Sequence, residues 1–237
     1  MHARLTHLVC YTGAQVAIAG AFINYVVDTR EGTSSATAAR FLAGAQGAFA
    51  LGRFIGSFLM NFVRPRWVFL AFMTCCIVFI APSITQRGNT GMSMLYLTLF
   101  FESIIFPTIV ALGMRGLGKY SKRGSGFIVG GVAGGAVVPP ILFAAADAQG
   151  KTNFATGNAP TALAMVVPLT FFVAAWTYSL AVNFIPAYRN VADKFHTTEI
   201  GIVNAHRDEE SASGGPASEE IVKGGAPVHT QDIKVES

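Results

Sequence analysis

Charge is scarce in this sequence. Lys, Arg, Asp and Glu make up 13% of its 237 residues, against about a quarter in a soluble domain, and that shortage argues against a freely soluble globule. Acids are scarcest where the chain is most apolar. Residues 1–186 hold twelve Lys or Arg but four Asp or Glu, whereas residues 187–237 hold five against nine. Cysteine is nearly absent too: Cys10, Cys75 and Cys76 all lie in apolar runs, and neighbouring Cys75 and Cys76 are poorly placed to bridge each other, so a disulfide scaffold is excluded. No cluster of metal-ligating side chains and no cofactor motif is present, and none is expected. The first apolar run starts almost at Met1, is longer than a secretory core and reaches no small-residue cleavage site, so no conventional signal peptide is expected. The pI of about 9.1 reflects basic loops beside an anionic membrane face and gives no reason to expect nucleic acid as a partner.

What is abundant is apolar length. Hydrophobic residues make up 52% of the chain, and mean hydropathy is +0.48. A helix needs roughly 20 apolar residues to cross a hydrocarbon core of about 30 Å. Six segments qualify: 5–27, 38–63, 67–83, 92–112, 126–146 and 161–185. The joints between them carry turn residues or charge, such as Arg64-Pro65-Arg66 and Gln86-Arg87-Gly88-Asn89. The lipid bilayer is therefore the expected solvent. The expected fold class is an all-α membrane protein, with a six-helix transmembrane domain over 1–186.

Basic residues sort the joints into two sets. Arg64 and Arg66, then Arg115, Lys119, Lys122 and Arg123, then Arg189 and Lys194 mark alternate joints, while Asp28, Arg30, Glu31 and Arg40 cancel, Arg87 stands alone and Asp147 offsets Lys151. Cytosolic loops hold the excess of Lys and Arg, which places both termini in the cytosol. Beyond about Tyr188 the sequence turns acidic and Ser/Gly-rich, so residues 187–237 are expected to be a disordered cytosolic tail, either a plain solvated one or one that recruits partners through phosphorylatable serines.

Polar residues inside spans are costly in lipid and mark partners or water-filled routes. The first span carries His7, Tyr11, Gln15, Asn24 and Tyr25. Tyr11 and Gln15 share a face, whereas Asn24, nine residues further on, lies nearly opposite Gln15 on a straight helix. Either that helix is irregular near Gly20, or only part of the set reaches one cavity. Glu102 is the acid deepest in a span; it reads as a proton or sugar-hydroxyl partner, or as a neutral acid bonded to a neighbouring helix. Arg53 in Gly52-Arg53-Phe54-Ile55-Gly56 reads as a snorkelling cation or a gate latch. The run Gly130-Gly131-Val132-Ala133-Gly134-Gly135 holds two overlapping small-xxx-small pairs, and Pro139-Pro140 predicts a kink.

Together these strings resemble the L-fucose:proton symporter and glucose/galactose transporter branch of the major facilitator superfamily. Gly13-Ala14-Gln15-Val16 to Asn24-Tyr25 looks like its seventh helix, Gly52 to Gly56 its eighth, Phe106-Pro107-Thr108 with Ala111-Leu112-Gly113 its tenth, and Gly134-Gly135-Ala136 to Pro139-Pro140 its eleventh. The resemblance covers roughly residues 5–186 and implies the C-terminal six-helix half of that fold. It implies a sugar held between two halves that alternate access, proton coupling through carboxylates of the other half, and hence a need for an N-terminal six-helix half. By resemblance Gln15, Asn24 and Tyr25 contact sugar, since amides and a phenol both donate and accept, with Phe106 as an apolar wall; Glu102 inherits no role from the resemblance and is grouped with them only as the span acid that could meet a sugar hydroxyl. Gly52, Arg53, Gly56, Gly130, Gly134, Pro139 and Pro140 serve gating. Met1 falls about where the seventh helix would begin, consistent with a truncated gene reading, a fragment or a half that pairs with another chain.

The expected function is thus a secondary active transporter, or half of one, moving a monosaccharide such as fucose, glucose or galactose, proton-coupled, in the plasma membrane. The alternative is a non-transporting scaffold or regulatory half whose tail recruits partners. An enzyme is not expected. His7 is present and Gly32-Thr33-Ser34 loosely echoes a serine nucleophile turn, but that loop falls outside the spans and lacks a strand-to-helix context. Asn158-Ala159-Pro160 has the wrong order for a water-channel signature.

Overall fold

The computed structural model describes residues 2–114, 126 and 130–186. The expected tail at 187–237 and the whole basic joint at 115–125 lie outside the described residues. Those that are described form eight helices: α1 (His2–Thr29), α2 (Ser35–Leu59), α3 (Pro65–Ser83), α4 (Gly88–Glu102), α5 (Ile105–Met114), α6 (Gly134–Ala148), α7 (Pro160–Ala164) and α8 (Val166–Phe184). Local chemistry sets several starts. Ser34 caps α2, its Oγ accepting from the Thr37 amide at 3.3 Å. Pro65 opens α3 and Pro160 opens α7, where the missing N–H costs nothing.

Four stretches are long and apolar enough to cross a membrane: Thr6–Thr29, Pro65–Ser83, Gly88–Leu112 and Pro160–Phe184. The third joins α4 to α5 and the fourth joins α7 to α8. They coincide with the first, third, fourth and sixth expected spans. The second expected span falls on α2, long enough at 25 residues but diluted by Arg40, Gln46, Arg53 and four glycines. The fifth overlaps α6, an apolar helix of 15 residues.

α1 is the spine. Leu8, Tyr11, Ala14, Ile18, Ala21, Phe22 and Tyr25 recur at three- and four-residue spacing and are all fully buried. That stripe packs against α6, α8, α2 and α4. Small residues set the closest approach: a Cβ on Gly13 would lie 2.2 Å from Val138 Cγ2, and one on Gly134 2.0 Å from the Val9 carbonyl oxygen. Gly131 and Gly135 also face α1, at Leu8 and Val16, whereas Gly130 faces open space. Large apolar side chains on the outside, including Leu51, Phe54, Phe58, Phe62 and Val78, suit a protein whose solvent is lipid.

The kink expected at Pro139-Pro140 does not end the helix. α6 continues through both prolines to Ala148. The irregular turn lies just before it, where Ala133, Gly135 and Ala136 donate to Gly130, Val132 and Ala133 in i to i+3 bonds. Prolines in the second turn free carbonyls only of Gly135 and Ala136, close to the helix start, so the helix tolerates them.

Candidate functional site

Pro107 organises the middle of the bundle. Having no N–H, it cannot bond the carbonyl of Ser103, four residues back, and the α4–α5 helix breaks at Ser103-Ile104. Arg53 of α2 supplies the missing donor: its Nε lies 3.2 Å from the Ser103 oxygen, and its guanidinium lies over the Phe49 ring, 4.9 Å from the centroid. The hydrogen-bond partner of Arg53 is thus a backbone carbonyl rather than an acid. Gly52 makes the approach possible, since a Cβ there would sit 2.4 Å from the Phe100 oxygen and 2.6 Å from Ser103 Oγ; Gly56 does the same against Ile104.

The other side of the break is tied to α1. Tyr11 Oη donates to the Glu102 carbonyl at 2.5 Å. The Glu102 side chain is fully buried, and neither carboxyl oxygen has a hydrogen-bond partner among the described residues. Phe106, one turn further, is half-buried against the core. Gln15 is also half-buried, one turn beyond Tyr11 on α1.

A second polar locus lies where α1 ends. Asp28 accepts from Thr152 Oγ1 at 2.6 Å, from the Thr161 amide at 3.2 Å and from Thr161 Oγ1. It thereby caps the start of α7 from 133 residues away in the chain, and a carboxylate there also suits the positive end of a helix. Beside this clamp opens a cleft of about 340 Å³ lined by Asn24, Asp28, Phe143, Asp147, Lys151 and Thr161, among others.

The structure thus divides the five residues expected to touch sugar. Asn24 is exposed in the terminal cleft. Gln15, Glu102 and Phe106 sit near the helix break. Tyr25 is fully buried, its hydroxyl donating to the Ser83 carbonyl at 2.7 Å and to Gln86 at 3.3 Å. Asn24 lies about 13 Å along the α1 axis from Gln15, at 1.5 Å per residue, further than one hexose reaches.

Sequence reasoning missed the clamp. Asp28 entered only as a loop charge cancelled by Arg30, and Thr152 and Thr161 carried no signal. The residues of the hydrolase reading are engaged otherwise: His7 Nδ1 lies 3.0 Å from the Ala174 oxygen with its ring stacked on Tyr178, and Ser34 caps α2. No group of His, Cys, Asp and Glu among the described residues could hold a metal ion.

The chain matches no family profile. It is similar to the L-fucose-proton symporter of Escherichia coli (strain K12), 36% identical over 153 residues, which is 65% of this chain and 33% of that protein. It is also similar to the glucose/galactose transporter of Brucella abortus (strain 2308), 37% identical over 143 residues, 59% of this chain and 34% of that protein. Among solved structures it resembles FucP, a major facilitator superfamily transporter in the outward conformation, with a TM-score of 0.68 and 31% identity over 76% of this chain and 41% of that one. The chain spans about a third of the length of the curated relatives it matches.

Proposed function

We propose that this chain, a homologue of L-fucose–proton symporters and glucose/galactose transporters of the major facilitator superfamily over about a third of their length, is the C-terminal six-helix half of a proton-coupled monosaccharide transporter. The observation that carries this is the fold match: most of this bundle superposes on less than half of a transporter of that superfamily. In this reading α2 and the segment leading through α6 complete six spans, both termini face the cytosol, and the membrane is the plasma membrane. A second six-helix half supplies the other wall of the sugar route and the proton-carrying carboxylates. Asn24, exposed, and Gln15 and Phe106, partly accessible within this bundle, are the side chains that touch sugar. Tyr25 could do so only after its bond to Ser83 opens, and Glu102 only after the packing around it loosens. Arg53 and the break it braces let the two halves of the α4–α5 span move as separate pieces. Gly134 and its neighbours give α6 a close track against α1.

The test starts with the native product: genomic sequence upstream of Met1, together with a blot against residues 187–237. A protein of about twice this length, taking up labelled fucose, glucose or galactose into proteoliposomes with a proton gradient as drive, bears out the proposal. A native product of this length that neither transports nor pairs with another membrane chain points instead to the scaffold reading.

A further inference from the structure

The cleft at the end of α1 has no role in the account of the helix break, and its lining is unusual for a gap between helix ends. Asp28 is spent: three donors from Thr152 and Thr161 hold its carboxylate as a fixed wall. The other polar groups are unspent. The side chains of Asn24, Asp147 and Lys151 are exposed and form no hydrogen bond or ion pair among the described residues. Asn24 is held on the spine helix, and Asp147 lies in the last turn of α6. Phe143, one turn before Asp147 on the same helix, is half-buried and contributes an apolar patch.

An amide, a carboxylate and an ammonium offer donors and acceptors in several directions. A few convergent polar groups beside an aromatic surface, in a space of some hundreds of cubic ångströms, are what a small-molecule site needs. At about 340 Å³ the cleft is at the small end of that range. The matching ligand is small, with hydroxyls around its rim and a C–H face for the ring of Phe143. Because both signs of charge face the cleft, a neutral ligand fits better than an ion.

We infer that this cleft is a monosaccharide-binding station, built by Asn24, Asp147, Lys151 and Phe143 on the wall that Asp28 fixes, and separate from the sugar contacts near Gln15. The inference rests on the proposed sugar-transport function. Under that topology the cleft opens on the outer face, so sugar is held there before it moves about 13 Å along α1 to Gln15. The two stations are served by opposite faces of one helix, which accounts for polar residues on both sides of α1 without any irregularity at Gly20.

The experiment uses the full 237-residue chain in lipid nanodiscs and saturation-transfer NMR with L-fucose, D-glucose and D-galactose, titrated to give an apparent Kd. Asn24→Ala, Asp147→Ala and Phe143→Leu are compared with Val16→Ala; helical circular dichroism verifies that each variant is folded. At least one of the sugars is expected to bind, with affinity falling tenfold or more in Asn24→Ala and Asp147→Ala and staying within twofold in Val16→Ala. Binding that survives both cleft substitutions overturns the station, as does the absence of binding to the unaltered chain. Binding of a charged analogue, such as a sugar phosphate, in preference to all three sugars overturns the assignment to a neutral ligand. Uptake by the full-length native product judges the transport function separately: uptake without cleft binding removes the station and leaves the transporter, whereas loss of both removes the two together.

Discussion

The approach of α1 to α6 predicts a sharp contrast between glycines. A methyl group on Gly134 would lie 2.0 Å from the Val9 carbonyl oxygen and 2.8 Å from its carbon. Neither is the end of a flexible side chain, so the helices themselves must part. A gap of roughly 0.5–1 Å already forfeits a quarter to a half of each dispersion contact, and in lipid such contacts are much of what holds helices together. Overpacking of this kind costs about 1–3 kcal/mol, while replacing glycine by alanine in a helix returns about 0.8–1 kcal/mol. Gly134→Ala should therefore destabilise by up to about 2 kcal/mol after that return. Gly20, on the same spine helix, has nothing within 4 Å of a new Cβ, so Gly20→Ala should stabilise by about 0.5–1 kcal/mol. Gly135→Ala, whose nearest atom is Val16 Cγ2 at 3.0 Å, should fall between them because that side chain can turn. In a detergent-solubilised sample followed by far-ultraviolet circular dichroism, the difference between the outer two variants corresponds to roughly 1–12 °C in Tm. Equal melting of Gly134→Ala and Gly20→Ala would refute the close crossing and the alignment of α1 and α6 with it.

Three further outcomes follow from the site. Asp28→Ala removes the acceptor of three bonds and should cost about 1.5–3 kcal/mol; hydrogen exchange should quicken at the Thr161 amide, and unchanged exchange there would count against the clamp. Pro107→Ala restores an N–H able to bond the Ser103 carbonyl, so Arg53→Met should cost less in that background than in the native one. A double-mutant cycle on unfolding should give a coupling of about 0.5–1.5 kcal/mol, and strict additivity would show that Arg53 does not brace the break. In the full-length native product, Gln15→Ala should lower initial sugar uptake at least tenfold at unchanged abundance, while Val16→Ala, next to it and 42% exposed, should leave uptake nearly intact.

Much of the bundle was legible in the chain because its causes are local. Apolar length located α1, α3, the α4–α5 pair and α7–α8. The glycine run before Pro139 signalled close packing, though not which of its members would touch α1. Gly130 and Gly134 look equivalent in sequence, yet Gly130 meets nothing within 4 Å and Gly134 meets the Val9 backbone. The difference arises from the i to i+3 turn between them, which rotates one relative to the other.

The sequence by itself determined that this protein belongs in lipid, where its helices lie and which polar residues they carry, because each of these follows from composition and from spacing within a few turns. Tertiary structure decided what those residues do. Pro107 frees a carbonyl for a purely local reason, but that Arg53 fills the vacancy depends on the crossing of α2 over α4–α5 through Gly52. Asp28 looked like a loop charge because its partners Thr152 and Thr161 come from more than a hundred residues away. The separation of Asn24 from Gln15, Glu102 and Phe106 likewise required knowing which face of α1 turns toward which helix. Hydropathy records the solvent a segment prefers; only packing records the neighbour that satisfies its polar groups.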